Sequence, residues 1–395
     1  MPEAAFTSAS QPVVASYCAT FLKPEMLHIY RQVSGLRRYK TFVVTRERIE
    51  GQAFPFPDIE LMAPTFSIKR FYLKYVRKMP PLCYRGEFQQ LMELFRRRHA
   101  DLMHIYFGEI GVYLLPFIQK WDAPCVVSFH GMDIRPRPQT HGYDDNMRDL
   151  LRTAPLVLAR SESLLAGLER LGCPREKLRL NRTGIPLDQF SFRRRLVPPD
   201  GEWCFVQACR LIAKKGLATA LRAFAKFHEE YPRAKFVIAG EGPMKPDLEA
   251  IIAELGLSGA VELAGFLSQP DLRALYDRAH VFLHPSEMPP DQNQEGVPNS
   301  MLEAMATGLP VLATTHGGIP EAVTHERSGL LVGERDVEAL FRAMRRIAAD
   351  PELFLSLGKA AALAVREEFE AGKQIEKLES YYDEARALHK RTNQK

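Results

Sequence analysis

The chain has 395 residues and a mass of 44.8 kDa, with 46% hydrophobic and 26% charged residues. This is ordinary globular composition for two or three domains, and it excludes a disordered, collagen-like or disulfide-scaffold protein. The net charge of +5 hides an asymmetry: residues 1–197 carry 30 Lys and Arg against 19 Asp and Glu, which leaves 23 against 29 for residues 198–395. Halves of +11 and −6 predict two domains with different partners. A basic first half fits nucleic acid, an anionic membrane or an acidic substrate, and no zinc-finger or RNA-binding signature supports nucleic acid. The first residues place an acid and no cation before their apolar part, unlike a secretory signal. No apolar run approaches the roughly 18 residues of a transmembrane helix. The six cysteines form no CxxC and no close Cys/His pair, so they read as reduced thiols of a cytoplasmic protein.

Short apolar runs alternate with amphipathic stretches, the pattern of an α/β fold with parallel sheets. In the first half, strands are predicted over 12–17, 40–45, 101–107, 123–130 and 154–160. In the second they are predicted over 203–209, 234–240, 260–266, 280–286, 309–315 and 329–333. Three cations followed by Pro198, Pro199 and Gly201 predict an exposed linker over Arg193–Gly201. The expected organisation is a first domain over 1–195, a second over 201–370, and a C-terminal helix over 371–395 returning to the first. Two doubly wound Rossmann-like units would bind ligand at their strand carboxyl ends, in an interdomain cleft.

The most informative stretch is residues 284–323. A strand ends at Ser286, a loop follows, and a helix is predicted to begin near Pro298–Asn299, because Pro is favoured in the first helical turn. Free amides and the positive dipole end there suit a phosphate. Glu295 precedes the helix and Glu303 lies about one turn inside it. Two carboxylates beside a phosphate are unfavourable unless they accept hydroxyl hydrogen bonds, and the sugars flanking a diphosphate supply those hydroxyls.

Glu295-Gly-Val-Pro-Asn-Ser-Met-Leu-Glu303 resembles the EX7E signature of the family 4 (GT4) retaining glycosyltransferases. Gly317-Gly318-Ile-Pro320-Glu321 is similar to that family's GGxPE turn, and Arg210-Leu-Ile-Ala-Lys-Lys215-Gly216 to its RLxxxKG element. His130-Gly131-Met-Asp133 resembles its HGxD motif, and Gly184-Ile185-Pro-Leu-Asp188 its GID segment. The resemblance implies a GT-B fold, a UDP- or GDP-sugar donor, no metal and no further cofactor. It assigns Glu295 to the donor sugar hydroxyls and Glu303 to the ribose. Amides around Gly296, Val297, Asn299 and Ser300 would hold phosphate and sugar. Gly240, Glu241, Gly265 and Phe266 would lie near the nucleobase, with His130 toward the donor sugar. Arg210 and Lys215, in a loop after a strand and expected to face the open cleft, would neutralise the diphosphate leaving group. His104 and Glu109, in a stretch similar to the family's HxxFG element, would shape the acceptor side, and His284 would pack under the site.

One departure matters. The loop Ser16–Lys23 has no glycine where many relatives carry a pair, a departure from the family pattern at the first domain's phosphate contacts. The branch resembling colanic-acid and amylovoran enzymes shares a glycine-poor start, so a glycan or lipid-linked acceptor in surface-polysaccharide synthesis is expected. The rivals are a soluble-acceptor synthase of sucrose or trehalose type and a non-catalytic sugar-nucleotide-binding subunit. Finally, residues 61–86 hold six cations and no acid. Ile68, Phe71, Tyr72, Tyr75, Val76 and Met79 fall on one face of a predicted helix and Lys69, Arg70, Lys74, Arg77 and Lys78 on the other. Such a helix either packs on the core or lies on an anionic membrane.

Overall fold

Parallel strands that are covered on both faces need nearly continuous apolar runs, and the predicted runs become such strands. The computed structural model describes residues 11–23, 26–49, 51–62, 68–134, 142–290 and 294–393. The first sheet contains β1 (Val13–Tyr17), β3 (Lys40–Thr45), β5 (Ile59–Leu61), β6 (Leu102–Tyr106), β7 (Cys125–Phe129), β8 (Leu156–Ala159) and β9 (Leu178–Leu180), in the spatial order β5-β3-β1-β6-β7-β8-β9. Its pairings are parallel, with Ser16 beside Val43 and His104, and Ile105 beside Val127. A separate short pair joins β2 (Thr20–Phe21) to β4 (Glu47–Arg48). The second sheet contains β10 (Cys204–Ala208), β11 (Lys235–Ala239), β12 (Val261–Gly265), β13 (Val281–His284), β14 (Val311–Thr314) and β15 (Leu330–Val332), in the order β12-β11-β10-β13-β14-β15. Each sheet therefore has one place where the winding reverses, between β1 and β6 and between β10 and β13. The strands absent from the sequence prediction (β2, β4, β5 and β9) are two or three residues long and mostly carry charge, so no apolar run marks them.

The chain divides into two units, each with its own core. One holds residues up to Arg160, Leu164–Gly184 and the segment from Gly372; the other holds Ser161–Ser163 and Ile185–Ala371. The predicted linker Arg193–Gly201 is therefore inside the second unit, and the boundary lies at Gly184/Ile185. Arg195 shows why: it is 7% exposed, and its guanidinium donates to the carbonyls of Tyr276 at 2.7 Å and Thr307 at 2.9 Å. A cation that looks solvated in sequence instead satisfies backbone groups at helix ends. The helix Ala371–Asn393 packs Leu378, Tyr382 and Ala385 against Val14, Leu102, Val126 and Leu156 of the first sheet, within the first unit.

The predicted helix over 68–79 is shorter and less regular. It is α-helical over Ile68–Phe71 and widens into a π-turn over Tyr72–Val76. Lys78 has a positive φ and Pro80 and Pro81 follow, which stops the helix. The stripe is not core-packed: Phe71, Tyr72, Tyr75 and Val76 are each at least half exposed and Met79 is 36% exposed. Residues 63–67 and the side chains of Ile68 and Lys69 lie outside the described residues, as do residues 1–10.

Candidate functional site

Where neighbouring strands of a doubly wound sheet send their connections to opposite sides, the loops part and leave room for a ligand. In the second unit this happens at the ends of β10 and β13. The loop after β10 carries Arg210, Lys214 and Lys215, and the loop after β13 leads to Glu295. Two glycines let these loops close on one another. Gly216 has φ +62°, and a Cβ there would sit 1.7 Å from the Pro285 carbonyl oxygen. Gly317 has φ +57°, and a Cβ there would sit 2.1 Å from the Glu295 carbonyl oxygen. Two hydrogen bonds to loop carbonyls complete the junction: the Gln207 side-chain Nε2 donates to Lys215 at 2.8 Å, and the Glu287 amide donates to Lys214 at 3.0 Å.

These loops bring Lys215 and Glu295 together. Lys215 Nζ donates to Glu295 Oε2, Lys214 Nζ lies 3.8 Å from Oε1, and His284 Nε2 lies 4.0 Å from Oε2. All three side chains of the ion pairs are about 10% exposed. Burial opposes ionisation of Glu295, but Lys215, His284 and Lys214 together hold its carboxyl well below the usual carboxylate range. His284 is buried beneath the couple, and burial lowers its pKa to about 4. The two expected cations differ in exposure: Arg210 is exposed, whereas Lys215 is 8% exposed. Lys214 belongs to the cluster too; its place beside Lys215 was the available sequence signal.

The helix predicted after the loop runs from Asn299 to Ala306, with Pro298 at its N-cap. Gly296 is exposed, Val297 is buried, and Asn299 and Ser300 are half-buried at the first turn. The Ser300 backbone carbonyl accepts from Tyr276 at 3.1 Å and its hydroxyl donates to the Ala208 carbonyl, tying the helix start to the end of β10. Glu303 is 4% exposed. Gly240, Glu241 and Gly265 line a pocket of about 240 Å³ with Leu211, Gly242, Lys245 and Leu263, and Phe266, next to Gly265, is 66% exposed. Among the described residues, no group of three or more His, Cys, Asp or Glu side chains is placed to hold a metal ion.

His130 lies in the other unit, just past β7. Asp133 accepts amide hydrogens from His130 at 3.0 Å, Gly131 at 2.8 Å and Gly108 at 3.0 Å, which shapes the HGxD turn. The His130 ring joins a hydrogen-bonded chain: Tyr382 Oη to His104 Nδ1 (2.6 Å), His104 Nε2 to Ser128 Oγ (2.9 Å), Ser128 Oγ to His130 Nε2 (3.0 Å) and His130 Nδ1 to His28 Nε2 (3.1 Å). Arg160 Nη1 reaches His28 Nε2 at 3.4 Å. Arginine only donates, so His28 Nε2 accepts and His130 Nδ1 carries the proton. His130 Nε2 then accepts from Ser128. Burial, aided by Arg160, keeps His130 neutral, and burial pushes His104 down to about 3. His104 is fully buried, so it supports His130 from within rather than lining an acceptor surface. His28, Ser128 and Arg160 carried no motif of their own, and only the three-dimensional arrangement finds them.

Residues 28–189 match the family model described as Glycosyltransferase Family 4, and residues 188–363 match the one described as Glycosyl transferases group 1. The chain is 35% identical over 256 residues to the colanic acid biosynthesis glycosyltransferase WcaL of Escherichia coli K12, covering 64% of this chain and 62% of that protein. It is 32% identical over 281 residues to the amylovoran biosynthesis glycosyltransferase AmsK of Erwinia amylovora, covering 68% of this chain and 67% of that protein. The match thus spans less than two thirds of the WcaL relative. In structure it is similar to Anabaena HepE, solved in complex with UDP, with a TM-score of 0.77, 16% identity, and coverage of 94% of this chain and 100% of that one. It is also similar to the sucrose-phosphate synthase of Thermosynechococcus elongatus, with a TM-score of 0.72, 19% identity, and coverage of 94% and 98%. From the two adjoining family models, these relatives and the shared GT-B fold, the chain belongs to the family 4, group 1 glycosyltransferases.

Proposed function

We propose that the chain is a retaining glycosyltransferase that moves a hexose from a UDP- or GDP-sugar to a glycan or lipid-linked acceptor in cell-surface polysaccharide synthesis. The observation that carries this reading is the buried Lys215–Glu295 couple at the β10/β13 loops, beside the N-terminus of the helix Asn299–Ala306. Lys215 and the exposed Arg210 offer positive charge to a diphosphate, and the first-turn amides of the helix offer donors. Glu295, held ionised, accepts hydrogen bonds from sugar hydroxyls, and Glu303 serves the ribose. The pocket at Gly240, Glu241 and Gly265 takes the base, with Phe266 at its rim. Relatives named for colanic acid and amylovoran biosynthesis support the acceptor class, and the UDP in HepE supports the donor class.

In this reading the sugar leaves with its anomeric oxygen on the diphosphate. The acceptor oxygen attaches on the same face, and the departing diphosphate takes the acceptor proton. The chain's contribution is leaving-group stabilisation by Lys215, Arg210 and the helix end, and orientation by Glu295, with no metal required. The test is donor hydrolysis and transfer with a panel of UDP-, GDP- and ADP-sugars in excess EDTA. Turnover that persists with EDTA and falls in Arg210→Ala and Lys215→Ala is the expected result. Turnover that needs a metal, or is normal in both variants, overturns the assignment.

The acceptor reading extends to location, on the cytoplasmic face of a membrane. Phe71, Tyr72, Tyr75 and Val76 are exposed beside Arg70, Lys74, Arg77 and Lys78, which suits an anionic bilayer at about 1 kcal/mol per cation near the surface. Among the described residues no helix is long and apolar enough to cross a membrane. Co-sedimentation with anionic vesicles at low salt, lost at high salt and lost when Arg70, Lys74, Arg77 and Lys78 are changed to Gln, is expected. If the wild-type chain stays in the supernatant at both salts, the soluble-acceptor rival replaces this reading.

A further inference from the structure

Glu334 lies just past β15, outside every motif discussed above. Its two carboxylate oxygens reach two separate places. Oε2 accepts the Met288 amide at 2.7 Å, and Oε1 lies 2.6 Å from His316 Nδ1. On its other side, His316 Nε2 accepts the Glu295 amide at 3.1 Å. An amide only donates, so Nε2 must carry the lone pair, and the proton of the neutral ring sits on Nδ1 and is donated to Glu334. The Glu295 carbonyl accepts from the Gly318 amide at 3.1 Å. Both backbone groups of Glu295 are therefore held by residues 316–318, while its carboxylate is held by Lys215.

We propose that Glu334, acting through His316, is a positioning residue for Glu295. The inference rests on the reading above, in which Glu295 orients the donor sugar. Met288 and Glu295 stand near the two ends of the segment between β13 and the helix Asn299–Ala306, and Glu334 is tied to both. Arg335 strengthens the grip, donating to the Met288 carbonyl and lying 3.3 Å from the Glu287 carboxylate. His316 is 1% exposed, so its ring has no water to take the place of either partner. With His316 in one tautomer, the Glu295 amide has one acceptor and the carboxylate faces Lys215. Without Glu334, no other described residue bonds the Nδ1 side to select that tautomer. A ring protonated on Nε2 would point a donor at the Glu295 amide and push the loop away.

The experiment uses the full chain with Glu334→Ala, His316→Ala, His316→Gln, Glu295→Gln and the wild type. Three quantities are read: turnover of the nucleotide-sugar donor, affinity for nucleoside diphosphate alone, and the tautomer of His316 by nitrogen NMR on 15N-histidine-labelled protein. The wild type is expected to show one tautomer, protonated at Nδ1, and Glu334→Ala a mixture. Glu334→Ala and His316→Ala are expected to lose roughly ten- to hundredfold in kcat, the scale of a displaced orienting group, with nucleoside diphosphate affinity nearly unchanged. His316→Gln keeps one acceptor and one donor, so it is expected to recover most of that loss. Wild-type His316 protonated at Nε2 overturns the proposal, as does full turnover in Glu334→Ala while Glu295→Gln is impaired. A His316→Gln variant as inactive as His316→Ala overturns it as well, since the ring would then act by packing. If Glu295→Gln itself turns over normally, the donor reading of Glu295 fails instead, and the tautomer measurement still decides whether Glu334 sets the state of His316.

Discussion

At the β10/β13 ends a buried carboxylate stays ionised because Lys215 is bonded to it and Lys214 lies 3.8 Å away. Past β6 and β7, in the other unit, the imidazoles of His104 and His130 stay neutral and share hydrogen bonds from Tyr382 to His28. The two regions meet the same cost, desolvation of polar groups, in opposite ways. Opposite charges offset it in one, and a directed chain of neutral donors and acceptors offsets it in the other. A site that must accept a diphosphate gains from stored positive charge. A histidine that must keep one fixed face gains from having no charge to attract counterions. The contrast makes separate predictions for each region.

The largest effect should come from breaking the charged couple. Lys215→Ala leaves Glu295 buried with the more distant Lys214 and the neutral His284 beside it. It should lower kcat by about two to three orders of magnitude and destabilise the protein by about 3 kcal/mol or more. Arg210→Ala removes an exposed side chain. It should lose turnover on a similar scale while its unfolding free energy stays within about 0.5 kcal/mol of wild type. Denaturant unfolding beside steady-state turnover separates the two; equal stability losses would contradict the buried pairing.

The neutral chain should show itself in acid. His104 takes a proton in the unfolded chain near pH 6.5 but in the folded chain only near 3. The unfolded state therefore binds more protons over that window. Stability should fall as pH drops from about 6.5 toward 3, by up to about 1.4 kcal/mol per pH unit for this residue alone. His280 and His284, both lowered to about 4, add the same sign in the second unit. The Glu295 contribution behaves differently: it is fully present above the ordinary carboxylate range and is lost only as pH falls through the depressed value. Urea titrations from pH 7 to 4 check the slope, which should flatten by about one proton in His104→Asn. A smaller effect is expected at the far end of the chain. Tyr382→Phe removes the donor to His104 Nδ1 and should cost about 1–2 kcal/mol.

The comparison also explains what the sequence could and could not tell. Both sheets were legible because doubly covered parallel strands demand apolar runs, and every predicted run became a strand. The charged region was legible because Arg210 and Lys215 follow a strand closely and Glu295 lies just before a helix start, so all three are marked by local context. The linker was misplaced because Arg193–Gly201 has the composition of a solvated segment, and nothing local shows that Arg195 meets the carbonyls of Tyr276 and Thr307. The neutral chain was illegible for a similar reason. Its members come from positions 28, 104, 128, 130, 160 and 382, and the bond from His104 to Tyr382 spans 278 residues of sequence. Glu334 was hidden likewise, since a lone Glu after a strand has no spacing to mark it.

The central claim is that Glu295 and Glu303 divide the donor between them, with Glu295 on the sugar and Glu303 on the nucleotide. Calorimetry with nucleoside diphosphate alone tests it most directly, because that ligand contains the ribose and lacks the sugar. The account predicts that Glu303→Ala loses most of the binding while Glu295→Ala keeps it and loses turnover of the intact donor. Equal losses of nucleoside diphosphate binding in both variants, or none in either, would contradict it.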